Sequence, residues 1–339
     1  MFYGIDVEAL DPRFGLALGE RENMGAHRVL MAPPAGGDFA VKPGRYRAVV
    51  SRGVEYDFVE QEIDVPAGGS TTLAVTLDHL LDTTGWLGGD FHMHTARSPD
   101  GKVTPCERVA EAAAEGLDIA ISTDHDAYTD YLPCIEEQGL APIMANVRGC
   151  EVSNMGSGGH RNAYPLPIAP DWVVQNSGPQ YWVSLSAQEL NDKLHAEATH
   201  PAVQINHGRS TDSYMNWVQF DPVSGTVGRS GQTLADDWDA METSNGGSFP
   251  FDDVDLFTPA NDGLLQEMAD SARGDVPLWA DYLGFLRLGW HISAMGTSDV
   301  HGRNEGTGYA RSYLPLGDDP TTLTEDQVRF NIHSAELFL

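Results

Sequence analysis

The chain has 339 residues, with 20 Lys and Arg against 50 Asp and Glu and a formal net charge of −30. A charge this negative repels phosphate backbones and anionic lipid, which excludes nucleic-acid wrapping and polybasic membrane docking, and it suits a site that concentrates cations. Hydrophobic content of 41% supports real cores and excludes disorder as the class, and roughly 150 residues per domain suggests about two domains.

The first segment, MFYGIDVEALDPRFG, has no basic region followed by an apolar run, so no signal peptide is read there. No apolar run approaches the ~18 residues of a membrane span. The abrupt start and abrupt end (RFNIHSAELFL) suggest a domain cut from a longer chain. Three cysteines, Cys106, Cys134 and Cys150, form no CxxC pair, so neither a zinc ribbon nor a disulfide framework is expected and the compartment stays open.

From about Phe39 to Leu80 the pattern is all strand. GRYRAVV and the segment Val59 to Val65 alternate, and in TTLAVTL the residues Leu73, Val75 and Leu77 interleave with Thr72, Ala74 and Thr76. Pro43-Gly44 and Pro66-Ala67-Gly68-Gly69 mark turns. The strand spacing predicts a small β-sandwich-like module over residues 1–84, with no catalytic cluster in it.

After Gly85 short apolar strands alternate with helix-period segments. Thr104-Pro105-Cys106-Glu107 is a capping box opening an Ala-rich helix that stops near Gly116, and Ser186-Ala187-Gln188-Glu189 opens a second. Ile119–Ser122, Ala202–Ile205 and Ile292–Met295 read as buried strands, and 262–272 and 278–288 as helices. The stretch from Gly156 to Pro179 reads as a long loop. Strand–helix repetition predicts a parallel α/β barrel over residues 85–339.

Of twelve histidines, six lie in polar clusters after predicted strands: His92, His94, His125, His160, His207 and His301. His92 and His94 are i, i+2 and face one side of a strand, as do Asp299 and His301. Asp100, Glu151 and Asp299 add carboxylates. Taken singly, each piece has an ordinary reading: a turn, a cap, or a carboxylate paired with Arg148 or Arg161. Recurrence at strand end after strand end is what points to one rim, because barrel strands open their C-terminal ends on the same face. Imidazole plus carboxylate suits zinc, manganese, iron or cobalt, and nine such donors fit two or three divalent ions that activate water.

The motifs GDFHMHTARSPDG, STDHD, GCEVS with HRNAYPL, NHGR and GTSDVHG resemble, in order, those of the PHP (polymerase and histidinol phosphatase) metallohydrolases. The β-module before GWLGGDFHMHT and the NEGTGYARSY after the last motif resemble the carbaryl-hydrolase-like (CehA/McbA-like) branch. The resemblance implies a distorted (β/α)7 barrel with a trinuclear site. The first ion would take His92, His94, Glu151 and Asp299; the second, bridging Glu151 with His160 and His207; the third, Asp100, His125 and His301. One departure is Pro99, which lengthens the usual Ser-Asp-Gly turn by one residue.

The expected reaction is attack of a metal-bridging hydroxide on phosphorus or acyl carbon of a small-molecule ester, with phosphoesters first and carbamate or carboxylic esters second. A non-catalytic metal-binding or adhesion module is the reading from another class. Arg209 is the candidate to polarise the ester oxygen, ahead of Arg97 and Arg311, and Asp124 is a candidate to orient an imidazole. Glu242 and Asn245 follow a predicted strand and are candidates to line the pocket, with a structural reading preferred; His195 reads as solvated, and His27, His79, His200, His291 and His333 show no partner in sequence. Tyr128, Tyr181, Trp182, Tyr214 and Trp217 fall in loop-like stretches that could shape a pocket. No GxxxxGK[ST], dinucleotide GxGxxG or GxSxG is present. The branch resemblance implies export, without a leader in this chain; otherwise a cytoplasmic location is expected.

Overall fold

The computed structural model describes residues 3–9, 28–32, 37–154, 158–167, 182–210, 213–246, 276–303 and 305–339. The expected helix over 262–272, His27 and Tyr181 lie outside these residues, as does most of the expected long loop. The described part of that loop holds a strand, Gly159–Tyr164.

At the N-terminal end, β1 (Tyr3–Ala9), β2 (Arg28–Ala32), β3 (Gly44–Ser51) and β4 (Val59–Val65) form one antiparallel sheet in the order β2-β1-β3-β4. On β3 the alternation places Tyr46, Ala48 and Val50 inward and buried. The sandwich expectation meets a single sheet among the described residues. Leu73, Val75 and Leu77 do alternate half-buried with exposed neighbours, but their segment joins no ladder. Side-chain period was legible there; a pairing partner was not.

The rest of the chain is mixed α/β. β5 (Leu87–Asp90), β6 (Ile119–Ser122) and β7 (Ala145–Arg148) run parallel, with β15 (Ser312–Leu314) antiparallel beside β5. A second sheet has the order β14-β13-β10-β9-β8, where β8 is Cys150–Asn154, β9 Gly159–Tyr164, β10 Ala202–Ile205, β13 Ala240–Asn245 and β14 Ser293–Thr297. In it β10, β13 and β14 are parallel, while β9 is antiparallel to both neighbours. A two-stranded ribbon, β11 (Phe220–Asp221) with β12 (Thr226–Val227), lies outside both. Parallel bridges Met93–Val300, just past β5 and β14, and His125–Glu151, from just past β6 to the start of β8, join the two large sheets. Gly149 lets one run of chain serve both sheets, since a Cβ there would sit 2.8 Å from the Ala163 carbonyl and 2.9 Å from that of Ser122.

Helices α1 (Pro105–Ala114) and α3 (Ala187–His195) begin at the expected capping boxes, with Thr104 and Ser186 as reciprocal caps. A third box opens α6 (Glu325–His333) at Thr324. α2 (Leu132–Glu137), α4 (Tyr214–Val218) and α5 (Val276–Arg287) complete the set. Tyr214 and Trp217 are therefore helical, and Tyr214 is core, its hydroxyl accepting from the Ala235 N–H at 2.6 Å. Tyr128 is core too.

The cysteine expectation is corrected: Cys106 and Cys134 form a disulfide, with Cα atoms 4.9 Å apart. The bond links α1 to α2, two helices 28 residues apart that share a small core with Met93 and Val300. Spacing alone held no sign of it, because the contact is made by tertiary packing.

His195 and His333, read from sequence as solvated or partnerless, both bind Asp239. Nε2 of His195 lies 3.0 Å from one carboxylate oxygen and Nδ1 of His333 2.5 Å from the other, and the Val203 N–H also donates to Asp239 at 2.7 Å. This clasp ties α3, β10, α6 and the start of β13 together. Burial pushes Asp239 up, but the His195 and His333 hydrogen bonds outweigh it and hold it below the ordinary value. Burial pushes His195 down, but Asp239 and Asp237 raise it above 6.5 overall. The Asp239 contribution is thus present above pH ~4 and lost as pH falls through its depressed pKa; that of His195 is present below pH ~6.5 and lost as pH rises through its raised pKa. Asp239→Asn is expected to lower stability by about 2 kcal/mol at pH 6 and to flatten the decline that sets in above pH ~6.5. Urea unfolding at several pH values checks this; an unchanged alkaline limb would show that the clasp does not set it.

Candidate metal centre

β5 ends at Asp90, a fully buried carboxylate that shapes the exit of two strands. It accepts from the N–H of His92 (3.2 Å) and Ser298 (3.0 Å) with one oxygen and from that of Gly308 (2.9 Å) with the other. The chain then passes through His92, Met93 and His94. These lie beyond β5 as assigned, but the Met93–Val300 bridge keeps the strand alternation, so both imidazoles face one side. The buried guanidinium of Arg108 braces this rim, donating to the carbonyls of His94 (3.0 Å) and Gly302 (2.8 Å).

All nine sequence-predicted donors meet at this rim. Glu151, wholly buried, lies at the middle. Its Oε1 is 3.2 Å from His92 Nε2, 3.1 Å from His160 Nδ1 and 3.3 Å from His207 Nε2. Its Oε2 is 2.7 Å from His125 Nδ1 and 3.4 Å from His94 Nε2. Asp299 Oδ1 lies 3.2 and 3.1 Å from the Nε2 atoms of His92 and His94. Farther out, Asp100 Oδ2 is 3.5 Å from His125 Nε2 and 3.3 Å from His301 Nε2. The extra residue at Pro99 therefore does not carry Asp100 away; Ser98 takes a different place, against His94. The floor is sealed, with His92, His94 and Glu151 at 0% exposure, whereas the Asp100 side chain is 56% exposed, so the mouth opens on that side.

The backbone is strained here. Asp299 (φ 53°), His207 (φ 29°) and Asp126 (φ 50°), which follows His125, all sit at positive φ. Such conformations persist where surrounding structure fixes them, and they gather at working sites.

The proton inventory decides what the site can hold. His92 Nδ1 faces Glu242 Oε1 at 2.5 Å and donates to it, so Nε2 is the nitrogen turned inward; burial opposes charge on this ring, but Asp299, Glu151 and Glu242 hold its pKa well above 6.5. Ser98 gives its one hydrogen to Asp124 (3.0 Å), so the 2.9 Å contact from His94 needs the hydrogen on His94 Nδ1. His94 Nε2 is then bare. His301 Nδ1 donates to the Asp299 carbonyl at 2.8 Å, and its Nε2 faces His125 Nε2 at 3.5 Å. The inner atoms His92 Nε2, His94 Nε2 and Asp299 Oδ1 are buried without a hydrogen-bond partner, and Glu151 Oε2 has only the 2.7 Å approach of His125 Nδ1. The bare His94 Nε2 faces Asp299 Oδ1 at 3.1 Å and Glu151 Oε2 at 3.4 Å, lone pair against lone pair, which repels unless a cation lies among them. Four triads of these residues bring donor atoms within 4.8 Å of one another: His92, His94, Glu151; His92, His207, Asp299; His125, Glu151, His160; and His94, His125, His301.

Electrostatics agree with an anionic cup. Burial pushes Glu151 up, but His92, His160 and His125 outweigh it and hold it well below the carboxylate range. Asp299 is likewise held low against burial by His92 and His94. Burial pushes His94 down to about 4, so it is a neutral donor at pH 7. Burial also opposes charge on His125, but Glu151 and Asp100 lift it to about 8.

Asp124 lies one hydroxyl away from His94 and orients it through Ser98, while the Thr95 N–H (2.6 Å) and the Thr129 hydroxyl also donate to it. Arg209 is not brought to the cluster. Its guanidinium grips Asp281 of α5 through Nε (2.7 Å) and Nη2 (2.5 Å) and donates to the Phe220 carbonyl at 2.7 Å. Arg311 is away from the rim, buried with Glu55 at 3.3 Å; for Arg97 the exposed position leaves only its backbone N–H anchored, on Thr95. The reading of Glu242 as structural is revised: besides His92, it accepts from Thr297 Oγ1 (2.7 Å), Asn245 Nδ2 (2.7 Å) and the His207 N–H. Glu242 sits third in β13 and Glu151 second in β8, and in sequence an acid set in a strand pattern was the only signal either carried. Trp182 donates to Asp126 at 3.1 Å, next to His125.

No protein-family model matches the chain, and no curated protein matches it. Solved structures do. One is a two-domain Bacteroides vulgatus protein containing a predicted PHP-like metal-dependent phosphoesterase, at 18% identity and a TM-score of 0.45 over 76% of this chain; the match spans 65% of that protein's length. Another is a Bifidobacterium adolescentis protein assigned as a metal-dependent phosphoesterase, at 18% identity and a TM-score of 0.37, covering 71% of this chain and 94% of the other. What the donors require is independent of these likenesses.

Proposed function

We propose that this chain is a metal-dependent phosphoester hydrolase of the PHP type. Its scaffold is a distorted seven-stranded barrel: β5, β6, the β7–β8 run, β9, β10, β13 and β14, closed by the Met93–Val300 bridge. The observation that carries the reading is the neutral His94 Nε2 turned on Glu151 Oε2 and Asp299 Oδ1 in a sealed floor, buried lone pairs facing one another with no hydrogen between them.

The residues fit three divalent ions. His92, His94, Glu151 and Asp299 would hold one, Glu151 with His160 and His207 a second, and Asp100 with His125 and His301 a third; zinc, manganese, iron or cobalt suits such donors. Ions held there make water nucleophilic near neutral pH and neutralise charge on the ester oxygens.

The chain's own residues do the rest. Glu242 and the Ser98–Asp124 pair fix which nitrogen of His92 and His94 faces inward. The sealed floor keeps bulk water from beneath, and the open Asp100 side admits substrate. Arg209, two residues past His207, is gripped by Asp281 and the Phe220 carbonyl rather than aimed at the donors, so its part in binding an ester is for a variant to decide. A phosphoryl group, with several oxygens to neutralise, matches a triple cation site better than a single carbonyl does.

With added Mn2+ or Zn2+, p-nitrophenyl phosphate or bis-p-nitrophenyl phosphate is expected to turn over. Turnover of 1-naphthyl methylcarbamate alone would replace the substrate class by carbamates. Less than one metal per chain, with no hydrolysis after reconstitution, would leave a non-catalytic module.

A further inference from the structure

Beneath the donors, Glu151 and Glu242 are joined by side-chain amides. Asn162 Nδ2 donates to the Phe91 carbonyl at 2.9 Å, so Asn162 Oδ1 faces Asn206. Asn206 Nδ2 then gives one hydrogen to Asn162 Oδ1 (2.8 Å) and the other to Glu151 Oε1 (2.8 Å). Its Oδ1 accepts from Gln204 Nε2 at 3.0 Å, and the second Gln204 hydrogen reaches Glu242 Oε1 at 3.3 Å. Gln204 Oε1 is left to accept from the Tyr164 hydroxyl at 2.6 Å. Phe91 precedes His92, whose imidazole donates to the same Glu242 oxygen, so the path returns almost to its start. Every side chain on it is wholly buried.

The sense of each amide follows from a backbone carbonyl that can only accept. Turning any one of them over would set oxygen against oxygen or hydrogen against hydrogen. Amides also have the right charge. They donate to both carboxylates while adding none of their own, so the full negative charge stays available to an ion; a lysine would compete with it.

We propose that Gln204 and Asn206 are positioning residues for the metal centre, their amides locking Glu151 and the Glu242–His92 pair in the geometry that ions require. This rests on the metal reading above. Partners of this kind typically contribute 10–100-fold in metal affinity.

The test uses the full chain stripped of metal and titrated with Zn2+ alone against a chromophoric chelator. Gln204→Met and Asn206→Ala are expected to weaken the tightest Zn2+ binding at least tenfold, to change the visible spectrum of the Co2+-loaded protein, and to regain turnover at saturating Zn2+. Tyr164→Phe, which removes only the outermost hydrogen bond, should stay within about twofold of the parent. If Gln204→Met does not fold, Gln204→Glu keeps the shape and is expected to show the same loss. Variants that melt lower without metal yet bind Zn2+ and colour Co2+ like the parent would overturn the proposal and leave a structural network. A parent chain that binds no Zn2+ would overturn the metal reading first, and the proposal with it.

Discussion

Glu151→Gln is expected to abolish hydrolysis, by about three powers of ten or more, and to strip the inner ions together. Glu151 is the one side chain whose oxygens face five imidazoles, at 2.7 to 3.4 Å. An amide of the same shape keeps the packing but offers one weak donor oxygen and an NH2 that points hydrogens at ligand lone pairs. Charge stabilisation by bound ions is worth several kcal/mol in the transition state, and each 1.36 kcal/mol is tenfold in rate. The variant should also lose most of the Zn2+-induced rise in melting temperature, since a ligand at a hundredfold excess over its Kd stabilises by about 2.7 kcal/mol. Asp100→Asn provides the contrast: among the described residues the Asp100 carboxylate pairs with His125 and His301, so under the proposed three-ion arrangement it should cost the outer ion and spare the inner ones. Metal analysis after gel filtration reads both. A Glu151→Gln protein with parental metal content would show that these donors hold no shared ion.

The site was more legible than the scaffold, for a physical reason. A polar residue at the end of an apolar strand breaks the local pattern, and the two sheets bridged at Met93–Val300 and His125–Glu151 gather such positions whatever lies between them in sequence. His92, Glu151, His207 and Asp299 were found in that way. What escaped needed tertiary knowledge. The Cys106–Cys134 bond forms between helices brought together by packing. Asp239 joins His195 to His333 across α3 and α6, 138 residues of sequence (333 − 195) that no spacing rule connects. Glu242 supports His92 from 150 positions away. In the N-terminal sheet, period 2 was visible at Leu73, Val75 and Leu77, yet periodicity reports which side a residue faces and not whether the backbone has a neighbour to pair with.

Arg209→Ala is expected to destabilise the protein by about 3–5 kcal/mol, because it leaves the buried Asp281 carboxylate without its partner. Burial pushes Asp281 up to about 6 even though Arg209 pulls the other way, which shows how little else compensates it. Its folded pKa lies above the unfolded one, so the Asp281 contribution improves as pH falls from about 6 towards 4 and is at its least favourable, and level, above about 6. The single variant therefore mixes lost stability with any lost chemistry. Replacing both partners separates them. Arg209→Leu with Asp281→Leu exchanges a buried ion pair for apolar packing, a change that is often neutral or stabilising, so most of the lost stability should return. If Arg209 also faces the substrate's charge, the double variant stays slow at parental metal content, with the loss appearing in kcat/KM for phosphoesters. Recovery of turnover along with stability would instead confine Arg209 to holding α5 against the rim. The structure places its Nε and Nη2 on Asp281 and a carbonyl, and only the stable double variant can report whether the remaining face of that guanidinium meets substrate.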